Sequence, residues 1–281
     1  MRVRAIKDLT QLGEQEFFNA IAEGLDLIVK HITRIYAGAT TLDEAGQTHA
    51  SRVLSMIAEE EAAKFLILID AVRCPRKPES RLAGQLGRFN QHLAKGLYAR
   101  ACMWCPVTLG QLQEYVNNDR EDFYLDGPND VDWIYRNQVI QNREGALYVD
   151  YVAHDDKHRW HDPLEFEELH FSGRPEPWSV TTTKHLHGVG VSTAAALAAV
   201  AELWRASPPA PNTHCSEIWR MNQRTLELMD KHGLLKEQPA STYAWLIRQW
   251  QFPMYDLDLS EIKVPLETLR EQQRNWGQDF Y

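Results

Sequence analysis

The sequence has little cysteine: Cys74, Cys102, Cys105 and Cys215 are all it holds in 281 residues. That excludes a disulfide-stapled scaffold and makes a reducing cytoplasm the expected compartment. It has no run near the roughly 18 apolar residues that a membrane-spanning helix requires. The longest apolar-rich stretch, Val189 to Leu203, is interrupted by Gly190, Ser192, Thr193 and Glu202. The opening MRVRAIKDLTQLG shows no apolar core of a secretory signal, so no membrane partner is expected. There is no internal repeat and no long low-complexity tract. His185 and His187 stand with Gly188 and Gly190, but the Lys-Ser/Thr of a phosphate loop is missing.

Surplus positive charge is also absent. The net charge is −9, which excludes a protein that coats nucleic acid indiscriminately. The charge is nevertheless uneven. Between Lys64 and Arg100 lie Lys64, Arg73, Arg76, Lys77, Arg81, Arg88, Lys95 and Arg100, against only Asp70 and Glu79. Between Glu114 and Asp132 the balance reverses, with Arg120 alone among the acids. Such a basic segment is a candidate for a phosphate-bearing partner, or for internal pairing with the acidic stretch.

Apolar periodicity predicts an all-α protein with one short extended insertion. Phe17, Ile21, Leu25, Ile28, Ile32 and Ile35 draw a single stripe over a helix at 14–37. A second helix is predicted over 42–72, capped by Thr41 and Glu44, with Val53, Ile57, Leu68 and Ala71 inward. A third is expected over 80–105, ended by Pro106, and further helices near 108–118 and 129–143. The aromatic and β-branched GALYVDYV reads as extended, followed by the polar loop AHDDKHRWHDP. SGRPEPW is the candidate boundary, dividing a core at 1–172 from a C-terminal helical region at 173–281. Beyond it, helices are predicted over 179–206, 213–232 (ended by Gly233), 241–250 and 260–276.

Several constellations bear on chemistry. In MIAEEEAAK, Glu60 and Lys64 are an i, i+4 pair close to the apolar stripe, with Glu59 and Glu61 beside them. In RFNQHLAK, Arg88, His92 and Lys95 share one sector of a continuous helix. A neutral imidazole there can take a proton from a ribose 2′-OH, and the two cations can stabilise a phosphorane. That chemistry needs no metal and no cofactor. The other reading of the same residues is a solvated helix face. His154, His158, His161 and His170 lie among Asp155, Asp156, Asp162 and Glu167, ligand types for a divalent metal, but without a recognised spacing. Cys102-Met-Trp-Cys105 falls at a helix end, where the dipole opposes a thiolate, so inert buried cysteines are expected.

In order along the chain, AEEEAAK, FNQHLAK and REGALYVDY with a following proline resemble the AbiV family of bacterial abortive-infection proteins, whose core is similar to HEPN domains. The likeness covers about residues 14–165. It implies an up-and-down helical bundle, a homodimer, and a cytoplasmic role in anti-phage defence. RNA or the translation machinery is the implied target, with a phage-encoded activator as a candidate partner. Many HEPN domains are metal-independent ribonucleases built on an Arg and a His a few residues apart. Here that pair is Arg88 and His92, with fewer intervening residues than usual. Arg136-Asn137 matches the motif's opening but meets Asn142 where His is expected.

The resemblance puts weight on Glu60, Glu61, Lys64, Arg88, His92 and Lys95. In the ribonuclease reading His92 is the base or acid, Arg88 and Lys95 stabilise the phosphorane, and Glu60 or Glu61 orients Lys64 or His92. The alternative is a non-catalytic module whose basic face docks a phage protein or the translation machinery. In it the acidic segment at 114–132 masks that face until triggered. A metal-dependent enzyme on the His-rich loop is the third reading.

Overall fold

A computed structural model describes residues 4–121, 138–154, 157–163 and 175–262, together with Glu271. The protein is an all-α bundle, joined among the described residues by one two-stranded hairpin. Helix α1 (Glu14–Glu44) buries the predicted stripe of Phe17, Ile21, Leu25, Ile28 and Ile32 against α2 (Thr48–Arg73). The Thr41/Glu44 cap does not form. Both residues lie in the last turn of α1, where Thr41 Oγ1 donates to the Ala37 carbonyl at 3.0 Å. Along α2, Leu68 and Ala71 are buried as predicted, whereas Ile57 is 37% exposed.

The helix predicted over 80–105 is broken. It divides into α3 (Glu79–Gly87), a 3-10 turn at Arg88–Asn90 and α4 (His92–Ala101), with Gln91 extended between them. Helix α5 (Leu109–Glu121) follows. The first part of the helix predicted over 129–143 lies outside the described residues; α6 (Gln138–Leu147) forms its end and continues through Gly145–Leu147, so the extended segment starts later than expected. There β1 (Asp150–His154) pairs antiparallel with β2 (Lys157–His161), Tyr151 opposite Trp160. The helix predicted over 179–206 also divides, into α7 (Trp178–Gly188) and α8 (Ala194–Ala206), with Thr193 capping the second. α9 (Cys215–Lys231) ends before Gly233 at φ 64, the predicted left-handed position, and α10 (Ala240–Gln249) follows. The helix predicted at 260–276 lies almost wholly outside the described residues. The apolar core is continuous from α1 and α2 into α7, α8 and α9, on both sides of residue 172.

After α10 the chain runs without regular structure across the bundle. Trp250, Phe252, Met254, Tyr255, Leu257 and Leu259 of this strap are buried. Its polar backbone is held by arginines of the basic segment. Arg73 Nη1 donates to the Gln251 carbonyl at 2.9 Å, and Arg88 Nη1 to that of Met254 at 2.6 Å. Arg88 Nη2 reaches the Leu257 carbonyl, and Arg81 pairs with Asp256 at 2.8 Å. Arg120 of the acidic stretch grips Ser260 and Asp258. Two more cations of the segment are paired, Arg76 with Glu14 and the carbonyls of Thr10 and Leu12, Arg100 with Asp119 at 2.8 Å, while Lys77 is exposed. The basic segment is therefore chiefly an internal clamp rather than an open phosphate-binding surface.

Arg73 lies fully buried between the rings of Trp204 and Trp250, 4.1 and 4.3 Å from their centroids, and pairs with Asp70 at 3.2 Å. Burial lowers its pKa to about 10, against the opposing pull of Asp70, so it stays charged at neutral pH. Replacing Arg73 with Met strips buried Asp70 of its paired countercharge. The expected loss is about 3–5 kcal/mol, read as a lower urea midpoint, with part recovered in the Asp70→Asn/Arg73→Met double variant.

Candidate functional site

Glu60 sits midway along α2 and receives three cationic or imidazole partners from two other helices. His92, the first residue of α4, places Nδ1 3.1 Å from Glu60 Oε1. Lys95, one turn further, donates to Oε2 at 2.6 Å. Arg143 of α6 donates Nε to Oε1, also at 2.6 Å. Burial alone would raise the Glu60 carboxyl. The hydrogen bonds from Lys95 and His92, with the charges of Lys95 and Arg143, outweigh burial and hold it below the ordinary value of 4.5. An ionised carboxylate only accepts hydrogen bonds. The proton of neutral His92 is therefore assigned to Nδ1, which leaves the lone pair on Nε2. His92 remains about half exposed, whereas the Lys95 ammonium is buried behind Glu60.

The assembly depends on a close helix approach. Gly96 of α4 faces Val139 of α6, and a Cβ built on it would stand 2.3 Å from Val139 Cγ1. Only glycine lets α6 come near enough for Arg143 to reach Glu60.

Glu60, His92 and Arg143 form part of the wall of a cavity of about 660 Å³ between α1, α2, α4 and α6. Tyr36, Met56, Val139 and Ile140 line its apolar part. Asp43 and Glu44 of α1 and Thr48 of α2 lie on the wall near the α1–α2 turn. Thr48 and Glu60 are twelve residues apart on one helix, so the cavity extends along roughly 18 Å of α2. That is ample for an organic ligand much larger than a phosphate group.

The structure brings together three of the sequence-predicted residues, Glu60, His92 and Lys95, and adds Arg143. It does not bring Arg88 to them. The break at Gln91 takes Arg88 off the face it would share with His92 on a continuous helix, and its guanidinium bonds Gln85 and the strap. Lys95 is not on an outward face, as expected from a continuous helix; only 4% of it is exposed. The predicted Glu60–Lys64 pair does not form. Lys64 bonds Glu61 instead and lies 5.4 Å from the centroid of the Phe89 ring, and neither Glu61 nor Lys64 lines the cavity. Arg143 opens the REGALYVDY segment but carried no assigned role. A charged residue beginning a motif was its one visible signal.

The His-rich segment is largely the β1–β2 hairpin. His170 lies outside the described residues. Among the described residues, no group of three or more His, Cys, Asp or Glu side chains is placed to hold a metal. Cys102 is buried, which pushes its thiol well above the ordinary range, but Cys105 is exposed, contrary to expectation. Among the described residues no helix is long and apolar enough to cross a membrane. No family model, no curated protein and no solved structure matches the chain.

Two outcomes are expected. Gly96→Ala should destabilise the fold by about 1–3 kcal/mol in thermal melts and loosen α6, seen as faster amide exchange around Arg143. Glu60, with its pKa depressed in the folded protein, contributes stability that is present above pH 4.5 and lost as pH falls through the folded value. Glu60→Gln should therefore flatten the acid limb of the stability–pH curve; an unchanged limb contradicts the assigned charge balance.

Proposed function

We propose that the protein is an abortive-infection effector that cleaves RNA without a metal, with His92 as the proton-transfer group. The supporting observation is a half-exposed imidazole, oriented through Nδ1 by an ionised carboxylate, on the wall of a cavity that also presents Arg143. In this reading Nε2 of His92 accepts the proton of a ribose 2′-OH. The resulting alkoxide attacks the adjacent phosphorus and expels the 5′-oxygen. A 2′,3′-cyclic phosphate and a free 5′-OH result, the proton returning to the leaving oxygen from the imidazolium or from water. Arg143 holds Glu60 through Nε, and its two other nitrogens suit the phosphorane oxygens. Lys95 acts from behind, by holding Glu60 ionised. Arg88 has no place at the reacting atoms. The resemblance to AbiV proteins supplies the biological setting: a cytoplasmic homodimer, a phage trigger, and RNA or the translation machinery as target.

The commitment of Arg88 to the strap favours one rival, a non-catalytic module that uses the cavity to dock a phage or ribosomal partner. A single assay separates the two. Purified wild-type and His92→Ala proteins are incubated with total bacterial RNA in excess EDTA, and new RNA ends are mapped. The proposal expects cleavage by the wild type and a fall of about a hundredfold or more in the variant. No new ends with the wild-type protein, together with growth arrest when it is expressed in cells, supports the binding module instead.

A further inference from the structure

Arg88 lies outside the cavity wall, yet it is tied to the start of α4. On one side its Nη1 donates to Gln85 Oε1 at 2.7 Å. Gln85 Nε2 in turn donates to the Tyr98 hydroxyl at 2.9 Å and to the Ile67 carbonyl at 2.8 Å. Tyr98 donates to Asp70 at 2.8 Å, and the same Asp70 oxygen accepts the backbone N–H of Met254 at 2.7 Å. Arg88 closes the ring by donating to the Met254 carbonyl at 2.6 Å. One hydrogen-bonded circuit thus joins α2, α3, α4, the 3-10 turn and the strap.

Four residues past Arg88, α4 begins at His92. Its N-cap residue, Gln91, makes no side-chain capping bond, and its own N–H closes the 3-10 turn on the Arg88 carbonyl at 3.0 Å. The entry is set from two sides: by Arg88 bonded to the strap, and by His92 and Lys95 bonded to Glu60. A continuous helix would carry Arg88 and His92 on one face. The break instead sends Arg88 to the strap and His92 to Glu60.

We infer that Arg88 is a positioning residue for His92, holding the strap against the α3–α4 junction so that the imidazole meets Glu60 in a single tautomer. The inference rests on His92 as the reacting group, but it concerns a geometry that can be read without RNA. A half-buried guanidinium bonded to three acceptors is well suited to the task, since its planar fork fixes direction as well as distance.

The test uses the full chain labelled with ¹⁵N-histidine, with the His92 ring assigned by its loss in His92→Gln. With the ring neutral, the wild type is expected to favour the Nδ1–H tautomer by about tenfold or more, because Glu60 accepts from that nitrogen. Arg88→Gln should lose most of that bias, and Arg88→Lys should recover part of it. Arg81→Gln, which releases a different strap contact, should leave it unchanged. Should Arg88→Gln fail to fold, Gln85→Met cuts the same circuit beside Arg88 and is expected to weaken the bias in a folded protein. A folded Arg88→Gln with the wild-type tautomer ratio overturns the inference, as does loss of the bias in Arg81→Gln. RNA cleavage is scored separately. Loss of the tautomer bias in Arg88→Gln, without cleavage by the wild type, leaves the positioning role standing and removes the ribonuclease reading.

Discussion

Asp70 is the fixed point of the molecule. It is a carboxylate in the apolar core, and such a group persists there only when its oxygens are paired and bonded. Arg73, Tyr98 and the backbone of Met254 do this together. Satisfying one buried acid therefore draws α2, α4 and the C-terminal strap into a single arrangement. Burial pushes the carboxyl above its ordinary value, against the pull of Arg73, the Met254 N–H and Tyr98. The Trp204 and Trp250 rings around Arg73 extend the same junction into α8 and the end of α10.

The cavity site repeats this logic nearer to water. Glu60 too is held by partners from two helices, but one of them, His92, stays accessible. The Asp70 circuit is sealed and holds the fold together. The Glu60 cluster is open on one side, with the half-exposed His92 imidazole at its edge. Both lie on α2, and α4 contributes to both, so the same two helices frame the sealed circuit and the open cluster. At Glu60 itself Lys95 and Arg143 outnumber the one carboxylate, while the rest of the cavity wall mixes Asp43, Glu44 and Glu59 with Arg52 and Arg100.

Much of the architecture was legible in the sequence. The stripe from Phe17 to Ile32 identified α1, and Gly233 marked the end of α9, because helical periodicity and left-handed glycine are local properties. The Glu60 and His92 motifs were legible as residue types suited to acid–base chemistry. The errors around the site share one cause. Helix 80–105 reads as continuous because its apolar spacing is uninterrupted. Arg88 breaks it by reaching carbonyls of a strap far along the chain, and no local rule contains that contact. Lys64 chose Glu61 over Glu60 because Glu60 was already held by Lys95 and Arg143, residues that meet it only after folding.

What the sequence determined by itself is the class of protein: an all-α bundle, few cysteines, no long apolar span, and a set of ionisable residues at helical spacing. These follow from composition and from periods of three and four residues. Tertiary structure decided which charges meet. It turned the basic segment inward against the strap, withdrew Arg88 from His92, and brought Arg143 to Glu60 through the glycine contact between α4 and α6. Ion pairing acts over a few ångströms across long chain separations, so its outcome is set by packing rather than by neighbours in sequence.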